Sequence, residues 1–516
     1  MGKWIEGYIQ RLEMNRLENL YGGGQERIDA QRALHKLTAR ERIEKLVDPG
    51  SFDEIGSLVR DARHPYDGKL RPSPGEGIVM GSGLVKGRLV MLFSMDFTVM
   101  SGSLGDQAAW KLADLVEMAG KRRMPLLGML DSAGERLSLR DGNCGLNGLG
   151  RLLRNLSLYS GVVPRIILLL GPCTGPLAAV PALADFLIVN RKTGFLWLGG
   201  PIESAEAGGA DFHMEKAGQC DLTAESDQEA IELSKQLLAF LPQSCFDRPA
   251  RIQSGDDPAG NDQSILDVMP DDPRYTYDIH EIIEKIADDG ELFELKPDYA
   301  THLVTGFARF DGRVVGIAAN NPDEMSGVFE IDSADKYDRF INFLDAFNIP
   351  LLTLVDSTAY VPGDKWERLG IIRHGAKNLL SYAHLTTQKI TVVLRRAYGG
   401  TNIVMGCAQM NPDIVLGWPT GEFAPTGPES IVQAIFHKEL QKAREEGRYQ
   451  QLYDSMVSVI REQMNVLNLS KSWTSYYMLH EAIDPRETRP RIIKALRATE
   501  DKYEEIPEKR RYVKPA

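Results

Sequence analysis

The sequence predicts an α/β fold built from two copies of one domain. Runs typical of β-strands alternate with amphipathic helical stretches, and short motifs recur at one fixed separation. A chain of 516 residues also exceeds the size of one ordinary hydrophobic core. A polar stretch near the middle, QSGDDPAGNDQ at 253–263, has the composition of a linker. We therefore expect two domains, at residues 1–255 and 265–516.

The internal repeat consists of matches at a single offset. The dipeptide GR at position 87 recurs at 312 (312 − 87 = 225), and MSG at 100, PLL at 125 and DS at 131 recur at the same offset. Gly175 likewise corresponds to Gly400. In each copy a Gly-Arg turn joins two strand-like runs, an amphipathic helical stretch follows, and a β-rich run ends in Asp-Ser. This order predicts βαβ units in both halves.

Composition excludes several functional classes. A net charge of -12 argues against a nucleic-acid partner. Five cysteines without a CxxC pair, together with a charged N-terminus lacking an apolar leader, predict a cytoplasmic protein without disulfides. The nine histidines show no HExxH or HxH spacing, so no metal site is predicted.

The two glycine turns are the best candidates for a functional site. In each half a buried strand runs into such a turn, GPCTGPL at 171–177 and RAYGGT at 396–401. Glycine permits close approach of a ligand, and the following helix start offers backbone N–H groups. Two N–H groups aimed at one point form an oxyanion hole, which can stabilise a thioester enolate. The duplication therefore suggests a site that holds two developing oxyanions.

Several motifs together resemble a known family. They are LTARERIEKLVDPGSF at 37–52, FSMDFTVMSGSL, DSAGER, GPCTG, IIRHGAK, RRAYGG and WPTGE. The chain is similar to the carboxyltransferase (β) subunits of propionyl-CoA-type acyl-CoA carboxylases and to the matching subunits of biotin-dependent decarboxylases, including the methylmalonyl-CoA decarboxylase α type. The resemblance covers almost the whole chain. It implies two crotonase-like (ββα-spiral) domains, with acyl-CoA at the first and carboxybiotin at the second.

The resemblance also implies the site residues. Gly175 and Pro176 would form the oxyanion hole for the acyl thioester, and Gly400 and Thr401 the hole for the biotin ureido oxygen. The remaining predicted contacts are, on the acyl side, Ala133, Gly134, Glu135, Arg136, Tyr360 and Ile403, and on the biotin side, Tyr398, Gly399 and Gly400.

The partners follow from the same resemblance. Coenzyme A would enter as part of the substrate. No biotin-attachment sequence of the AMKM kind and no ATP-binding carboxylase domain is present, so a biotin carboxyl carrier and a biotin carboxylase or decarboxylase subunit would come from other chains. The family usually forms a hexameric ring, with sites where the first domain of one subunit faces the second domain of another.

Three departures from the family pattern concern the first half. The usual GPCAGGA reads GPCTGPL, so Pro176 replaces a glycine and removes one N–H donor from that hole. The usual DSGGAR reads DSAGER, so Glu135 adds a carboxylate. The segment GPIESAEAGGA at 200–210 is about ten residues shorter than in the family, although His213 and Asp221 keep their places. In the second half, VPGFLPG is altered to STAYVPG.

Four possible functions remain open at this point. The chain could act as a carboxylase subunit, or as a biotin-dependent decarboxylase subunit for a dicarboxylic acyl-CoA. It could instead be a biotin-independent acyl-CoA decarboxylase or hydrolase that uses Glu135, or a non-catalytic structural subunit of a mixed complex. The sequence determines neither the acyl group nor the direction of the reaction.

Overall fold

The structure, a computed structural model, describes residues 3–60, 73–136, 146–200, 206–272, 275–470, 478–509 and 513–515. The chain divides into two compact units, Met1–Pro249 and Ala250–Ala516. Cys144 and residues 201–205 of the shortened segment lie outside the described residues.

The first unit contains one sheet of seven strands and a separate strand pair. The sheet order is β1-β2-β3-β4-β5-β7-β9, and β6 pairs with β8. The strands β1 to β3 are antiparallel, and the pairing is parallel from β3 onward. The strands are β1 (Asp53–Glu54), β2 (Ile78–Val85), β3 (Arg88–Met95), β4 (Leu126–Leu130), β5 (Arg165–Leu169), β6 (Pro172–Thr174), β7 (Phe186–Asn190), β8 (Phe195–Trp197) and β9 (Leu222–Ala224). The α-helices are α1 (Lys3–Tyr21), α2 (Gln25–Ala33), α3 (Ala39–Leu46), α4 (Asp106–Arg122), α5 (Leu146–Leu158), α6 (Ala179–Leu183), α7 (Ala210–Glu215) and α8 (Asp227–Leu238).

The second unit repeats this arrangement with one eight-stranded sheet. Its order is β10-β11-β12-β13-β14-β15-β17, and β16 also pairs with β14. The strands are β10 (Leu292–Leu295), β11 (Leu303–Phe310), β12 (Arg313–Asn320), β13 (Leu351–Ser357), β14 (Lys389–Tyr398), β15 (Ile414–Gly417), β16 (Glu422–Ala424) and β17 (Glu481–Ala482). The α-helices are α9 (Ile279–Ile286), α10 (Ile331–Ala346), α11 (Asp364–Leu369), α12 (Ile371–His384), α13 (Gly399–Val404), α14 (Pro428–Ile435), α15 (His437–Glu445), α16 (Tyr449–Ser470) and α17 (Thr488–Ala498).

The predicted α/β class and its duplication are confirmed. The hairpins β2–β3 and β11–β12 begin and end at residues separated by the predicted offset, since 303 − 78 = 225 and 320 − 95 = 225. Each hairpin leads into a short 3-10 turn at the MSG motif, then a long amphipathic helix, then a buried parallel strand. The strands β4 and β13 are buried along their whole length, as expected for parallel strands covered on both faces.

The duplication extends to a buried lysine in each unit. On α4, the Lys111 ammonium group donates to the carbonyls of Gly75 at 2.6 Å and Ile78 at 2.8 Å. Its counterpart on α10, Lys336, donates to two carbonyls in the segment between β10 and β11. Burial lowers the pKa of Lys111 to about 8 and that of Lys336 to about 7. Each lysine therefore ties its long helix to the chain that precedes the hairpin.

A surface histidine gives the second unit a pH-dependent contribution to stability. The His280 ring contacts Glu294 at 3.1 Å and Asp278 at 2.6 Å, and these bonds raise its pKa to about 9. Because the folded pKa lies above the ordinary value of 6.5, this contribution is complete below pH 6.5 and is lost as the pH rises through 9. His280 is one-third exposed, so we expect the effect to stay below about 1 kcal/mol.

We therefore predict that denaturant unfolding of the second unit becomes easier between pH 6.5 and 9, and that H280Q reduces this slope. Replacing His437, an exposed histidine of the same unit, should leave the slope unchanged. An identical slope in H280Q and the wild type would rule out this ion pair as the cause.

Among the described residues, no helix has the length and apolar character needed to cross a membrane. The same described residues contain no group of three or more His, Cys, Asp or Glu side chains arranged to hold a metal ion.

Candidate functional site

The first glycine turn follows the parallel strand β5. The strand β6 ends at Thr174, and a 3-10 helix begins at once and spans Gly175–Ala178. Gly175 has a left-handed backbone with φ of 68°, a conformation that favours glycine. Pro176 occupies the start of the 3-10 helix, where proline is tolerated. Pro176 therefore removes one N–H group from this turn, as predicted, but it is compatible with the start of the 3-10 helix.

The loop after β4 is tied to this turn by hydrogen bonds. The Ser132 amide donates to the Pro172 carbonyl at 2.7 Å, and the Thr174 hydroxyl donates to the Ala133 carbonyl at 3.0 Å. Gly134 has a φ of 98°, and a Cβ at this position would lie 2.5 Å from the Thr174 hydroxyl oxygen. Glycine is therefore required where the loop crosses the turn.

A buried aspartate supports the loop from beneath. Asp131, at the end of β4, pairs with Lys36 at 2.7 Å and Arg42 at 3.0 Å, and all three side chains are buried. Arg42 also pairs with Asp227 at 2.8 Å. Burial lowers the pKa of Lys36, although the Asp131 carboxylate favours its charged form. An unpaired charge is costly in a protein interior, so Asp131 must stay beside Lys36 and Arg42. The loop that follows Asp131 is therefore held in one position.

The structure places two predicted acyl-side residues, Arg136 and Glu135, in different environments. The Arg136 guanidinium donates to both carboxylate oxygens of buried Glu76, at 2.9 and 3.0 Å, and to the Ser103 carbonyl. It is thus held by the protein itself. Glu135 forms an isolated parallel bridge with Leu104, and one of its carboxyl oxygens is buried without a hydrogen bond to the described residues. Burial raises the pKa of Glu135.

The second glycine turn follows β14. Tyr398 ends the strand, and α13 begins at Gly399, which is left-handed with φ of 53°. The Thr401 hydroxyl donates to the Tyr398 carbonyl at 2.7 Å, and the Tyr398 hydroxyl donates to Glu422. The first N–H groups of a helix have no partner within the helix, so this turn can present donors to a ligand oxygen.

A second buried aspartate supports this turn. Asp356 corresponds to Asp131 in the repeat and is fully buried at the end of β13. Its carboxylate accepts from Arg395 at 2.9 Å, from Arg396 at 2.7 Å and from the Tyr277 hydroxyl at 3.0 Å. Asp131 and Asp356 are therefore equivalent residues of the repeat, but each is neutralised by cations from a different part of the chain.

Tyr360 lies directly against the second turn. A Cβ at Gly400 would lie 3.3 Å from the Tyr360 ring, and the ring also packs edge-on against Phe329 at 5.6 Å. Its hydroxyl donates to the Asn378 side chain at 3.2 Å, and burial raises its pKa. Ile403, on α13, is 41% exposed. The structure thus brings Tyr360 to the glycine turn of its own unit.

The IIRHGAK motif forms the first turns of α12 and packs against α10. The His374 ring contacts Asp335 at 2.7 Å, and Lys377 contacts the same carboxylate at 3.3 Å. The Asn378 side chain donates to the Ala334 carbonyl at 2.7 Å. Asp335 and Asn378 were not among the residues predicted from the sequence. Asn378 directly follows the motif, whereas Asp335 lies 39 residues before His374 and shares no local pattern with it.

The described part of the shortened segment packs against an aromatic wall. Trp197 stacks on Phe195 at 5.2 Å, and Gly208 lies against the Trp197 indole, where a Cβ would overlap the ring. His213 contacts the Leu196 carbonyl at 2.9 Å. The indole N–H of Trp197 is buried and has no hydrogen bond to the described residues.

The predicted residues therefore form two groups, one within each unit. In the first unit, Ala133 and Gly134 contact Thr174, which directly precedes Gly175 and Pro176, and Glu135 follows in the same loop. In the second unit, Tyr360 lies against Gly400, and the turn residues Tyr398, Gly399, Thr401 and Ile403 are consecutive or nearly so. Their roles toward substrate stay predictions.

Comparison with known proteins adds independent information. A family profile described as the carboxyl transferase domain matches residues 30–513. The chain is 38% identical to the methylmalonyl-CoA carboxyltransferase 12S subunit of Propionibacterium freudenreichii subsp. shermanii, over 98% of this chain and 97% of that protein. It is 35% identical to the propionyl-CoA carboxylase carboxyltransferase subunit of Haloferax mediterranei, over 98% of both chains. It is 36% identical to the methylmalonyl-CoA decarboxylase subunit alpha of Veillonella parvula, over 94% of both.

Solved structures agree with these matches. The crystal structure of transcarboxylase 12S, a hexamer with methylmalonyl-coenzyme A and methylmalonic acid bound, superposes with a TM-score of 0.92 at 37% identity, covering 99% of both chains. A single-chain, multi-domain long-chain acyl-CoA carboxylase superposes with a TM-score of 0.79 at 26% identity, covering 94% of this chain and 50% of that one.

Proposed function

The chain belongs to the carboxyl transferase family, as an acyl-CoA carboxyltransferase subunit with two crotonase-like domains, and we propose how its two glycine turns divide the reaction. The first domain, proposed as residues 1–255, binds the acyl-CoA. The second domain, proposed as residues 265–516, receives biotin carried by another chain. Carboxyl transfer between them proceeds through the enolate of the thioester.

The first turn acts on the thioester oxygen. The loop that contains Ala133 and Gly134 is tied to the turn at Gly175, so the thioester carbonyl can lie between the two. Negative charge develops on this oxygen when the α-carbon becomes nucleophilic, and preorganised donors lower the energy of that state. The buried Asp131 cluster supports this role because it keeps the loop from shifting during the reaction.

The second turn suits the ureido oxygen of biotin. The backbone N–H groups at Gly400 and Thr401 stand at the start of α13, and the flat face of Tyr360 lies beside them. Carboxybiotin supplies the carboxyl group when it is bound here. Tyr360, which was predicted to contact the acyl group, lies against Gly400 and would therefore also border the ureido ring.

Partner chains complete the proposed assembly. A biotin carboxyl carrier and a biotin carboxylase or decarboxylase subunit would supply and reload biotin. The hexamer of transcarboxylase 12S supports a hexameric assembly for this chain too. The relatives act in both directions, as carboxylase, carboxyltransferase and decarboxylase subunits, so the proposal covers both.

One observation carries this proposal: each unit repeats a glycine turn, a crossing loop and a charge-paired aspartate at the same offset. A protein that needed one oxyanion hole would have no reason to keep the second. One Glu135 oxygen has no hydrogen bond within the described part of the chain, which favours a second candidate, a biotin-independent decarboxylase in which Glu135 acts on the substrate alone.

The test is a mass-spectrometric panel of acyl-CoA esters with the purified chain. Malonyl-, methylmalonyl- and glutaconyl-CoA, and larger dicarboxylic esters, are each incubated with and without free biotin. We expect loss of the carboxyl group from at least one ester only when biotin is present. Loss without biotin would favour the second candidate, and no turnover of any ester would favour a structural subunit.

A further inference from the structure

The two glycine turns differ in their donors. Position 176 corresponds to position 401 in the repeat (401 − 176 = 225), and Thr401 has a backbone N–H where Pro176 has none. The second turn also places its left-handed glycine one residue earlier, at Gly399, than its counterpart in the first turn. The first hole therefore needs a donor from elsewhere if it is to stabilise an oxyanion as well as the second.

Glu135 stands at the matching position to Tyr360. The bridge between Leu104 and Glu135 recurs as the bridge between Phe329 and Tyr360, and both members are shifted by 225 residues (329 − 104 and 360 − 135). Bridged neighbours point their side chains to the same face. In the second unit that face leads to the glycine turn, because the Tyr360 ring lies against Gly400. The Glu135 side chain therefore starts toward the turn at Gly175.

No described residue fills the space in front of the first turn. A Cβ at Gly175 would meet no atom of the described residues within 4 Å, whereas one at Gly400 would meet the Tyr360 ring at 3.3 Å. The shorter Glu135 side chain thus leaves room beside the first turn that the tyrosine occupies beside the second. The Thr174–Ala133 and Ser132–Pro172 hydrogen bonds hold the loop after β4, which contains Glu135, against this turn.

One oxygen of the Glu135 carboxyl group is buried and makes no hydrogen bond to the described residues, an arrangement that is unfavourable in a protein. No lysine or arginine among the described residues is recorded in an ion pair with it, in contrast to Asp131 and Asp356. Such a cost is recovered when a ligand atom completes the hydrogen bond.

We propose that the carboxyl O–H of Glu135 donates to the thioester oxygen the hydrogen bond that Pro176 cannot supply. This inference rests on the proposed function. A protonated carboxyl group is a competent oxyanion donor. Burial raises the pKa of Glu135, which favours the protonated form. The proton stays on Glu135 throughout, so no covalent bond at this residue is formed or broken.

Four variants test the proposal: E135A, E135Q, P176G and the double variant E135A/P176G. Loss of one oxyanion donor lowers kcat by about 100- to 1,000-fold, so E135A should lose that much on whichever ester the wild type converts. E135Q keeps a donor in its amide and should lose less. P176G restores a backbone N–H, so the double variant should recover most of the activity lost in E135A. Glu225, an exposed glutamate of the same unit, provides the control E225A.

A spectroscopic readout separates this inference from the proposed function. Propionyl-CoA carrying ¹³C at the thioester carbonyl is bound to each variant, and the carbonyl stretch is recorded by infrared difference spectroscopy. A hydrogen bond lowers the frequency, so we expect the lowered band in the wild type, its loss in E135A and its return in E135A/P176G. Thermal melting of each variant checks that the fold is intact.

The outcomes are distinct. If no variant changes the carbonyl band, or P176G fails to rescue E135A, the inference is wrong even when biotin-dependent turnover is present. A loss confined to KM with one polar ester would also overturn it, because Glu135 would then contact the acyl chain. If the band behaves as expected but no ester is converted with biotin, the proposed function fails and the donor assignment stands.

Discussion

Replacing Asp356 with alanine is expected to destabilise the second unit by about 3–5 kcal/mol, because removal of one partner leaves a buried opposite charge uncompensated. Asp356 is fully buried and accepts hydrogen bonds from Arg395, Arg396 and the Tyr277 hydroxyl. The backbone amide of Arg396 donates to the same carboxylate. The substitution therefore loosens the end of β14 that leads into the second glycine turn.

Hydrogen exchange followed by mass spectrometry measures this effect locally, and denaturant unfolding measures its size. We expect faster exchange in peptides that cover 389–401, with little change in the first unit. The control is D364A, since Asp364 pairs with Arg368 on the surface and both side chains are largely exposed. Equal destabilisation by D356A and D364A would show that the buried cluster contributes no more than a surface ion pair.

Replacing Thr401 with proline is expected to lower kcat for carboxyl transfer by about 100- to 1,000-fold, or about 3 kcal/mol, because it removes one N–H donor from the second turn. The first turn carries the equivalent proline naturally at position 176. In the second unit the position matching Glu135 is Tyr360, whose hydroxyl already donates to Asn378, so this residue does not replace the missing donor.

The variant T401A separates the contribution of the backbone N–H group to kcat from that of the side-chain hydroxyl. Alanine keeps the N–H group and loses only the hydroxyl bond to the Tyr398 carbonyl. Steady-state kinetics should therefore show a large loss of kcat in T401P and a small one in T401A. Similar losses in both variants would assign the effect to the hydroxyl bond and contradict a backbone oxyanion hole at this turn.

The repeat made much of the fold predictable. Each match at the common offset falls on a structural requirement: the GR turns join hairpins, the MSG motifs form 3-10 turns with left-handed residues, and the DS pairs end buried strands. Left-handed backbone and buried charge restrict residue choice strongly, so these positions stay recognisable in both halves.

The remaining features depend on distant contacts that carry no local pattern. Arg136 was predicted to contact substrate, and its partner Glu76 lies 60 residues away along the chain. The pairing of Asp131 with Lys36 and Arg42 likewise joins separate elements, whereas Asp356 takes its cations from the adjacent strand. The left-handed glycine is Gly175 in the first turn and Gly399 in the second, a one-residue shift that the common offset does not predict.

The most direct test of carboxyl transfer follows a labelled carboxyl group. Methylmalonyl-CoA with ¹³C in its free carboxyl group is incubated with the chain and free biotin, and carboxybiotin is measured by mass spectrometry, with T401P as the comparison. We expect the label in carboxybiotin together with an equal amount of propionyl-CoA, and formation of both products about 100- to 1,000-fold more slowly with T401P. Release of the label only as CO2, at the same rate with and without biotin, would contradict a carboxyltransferase that uses both glycine turns.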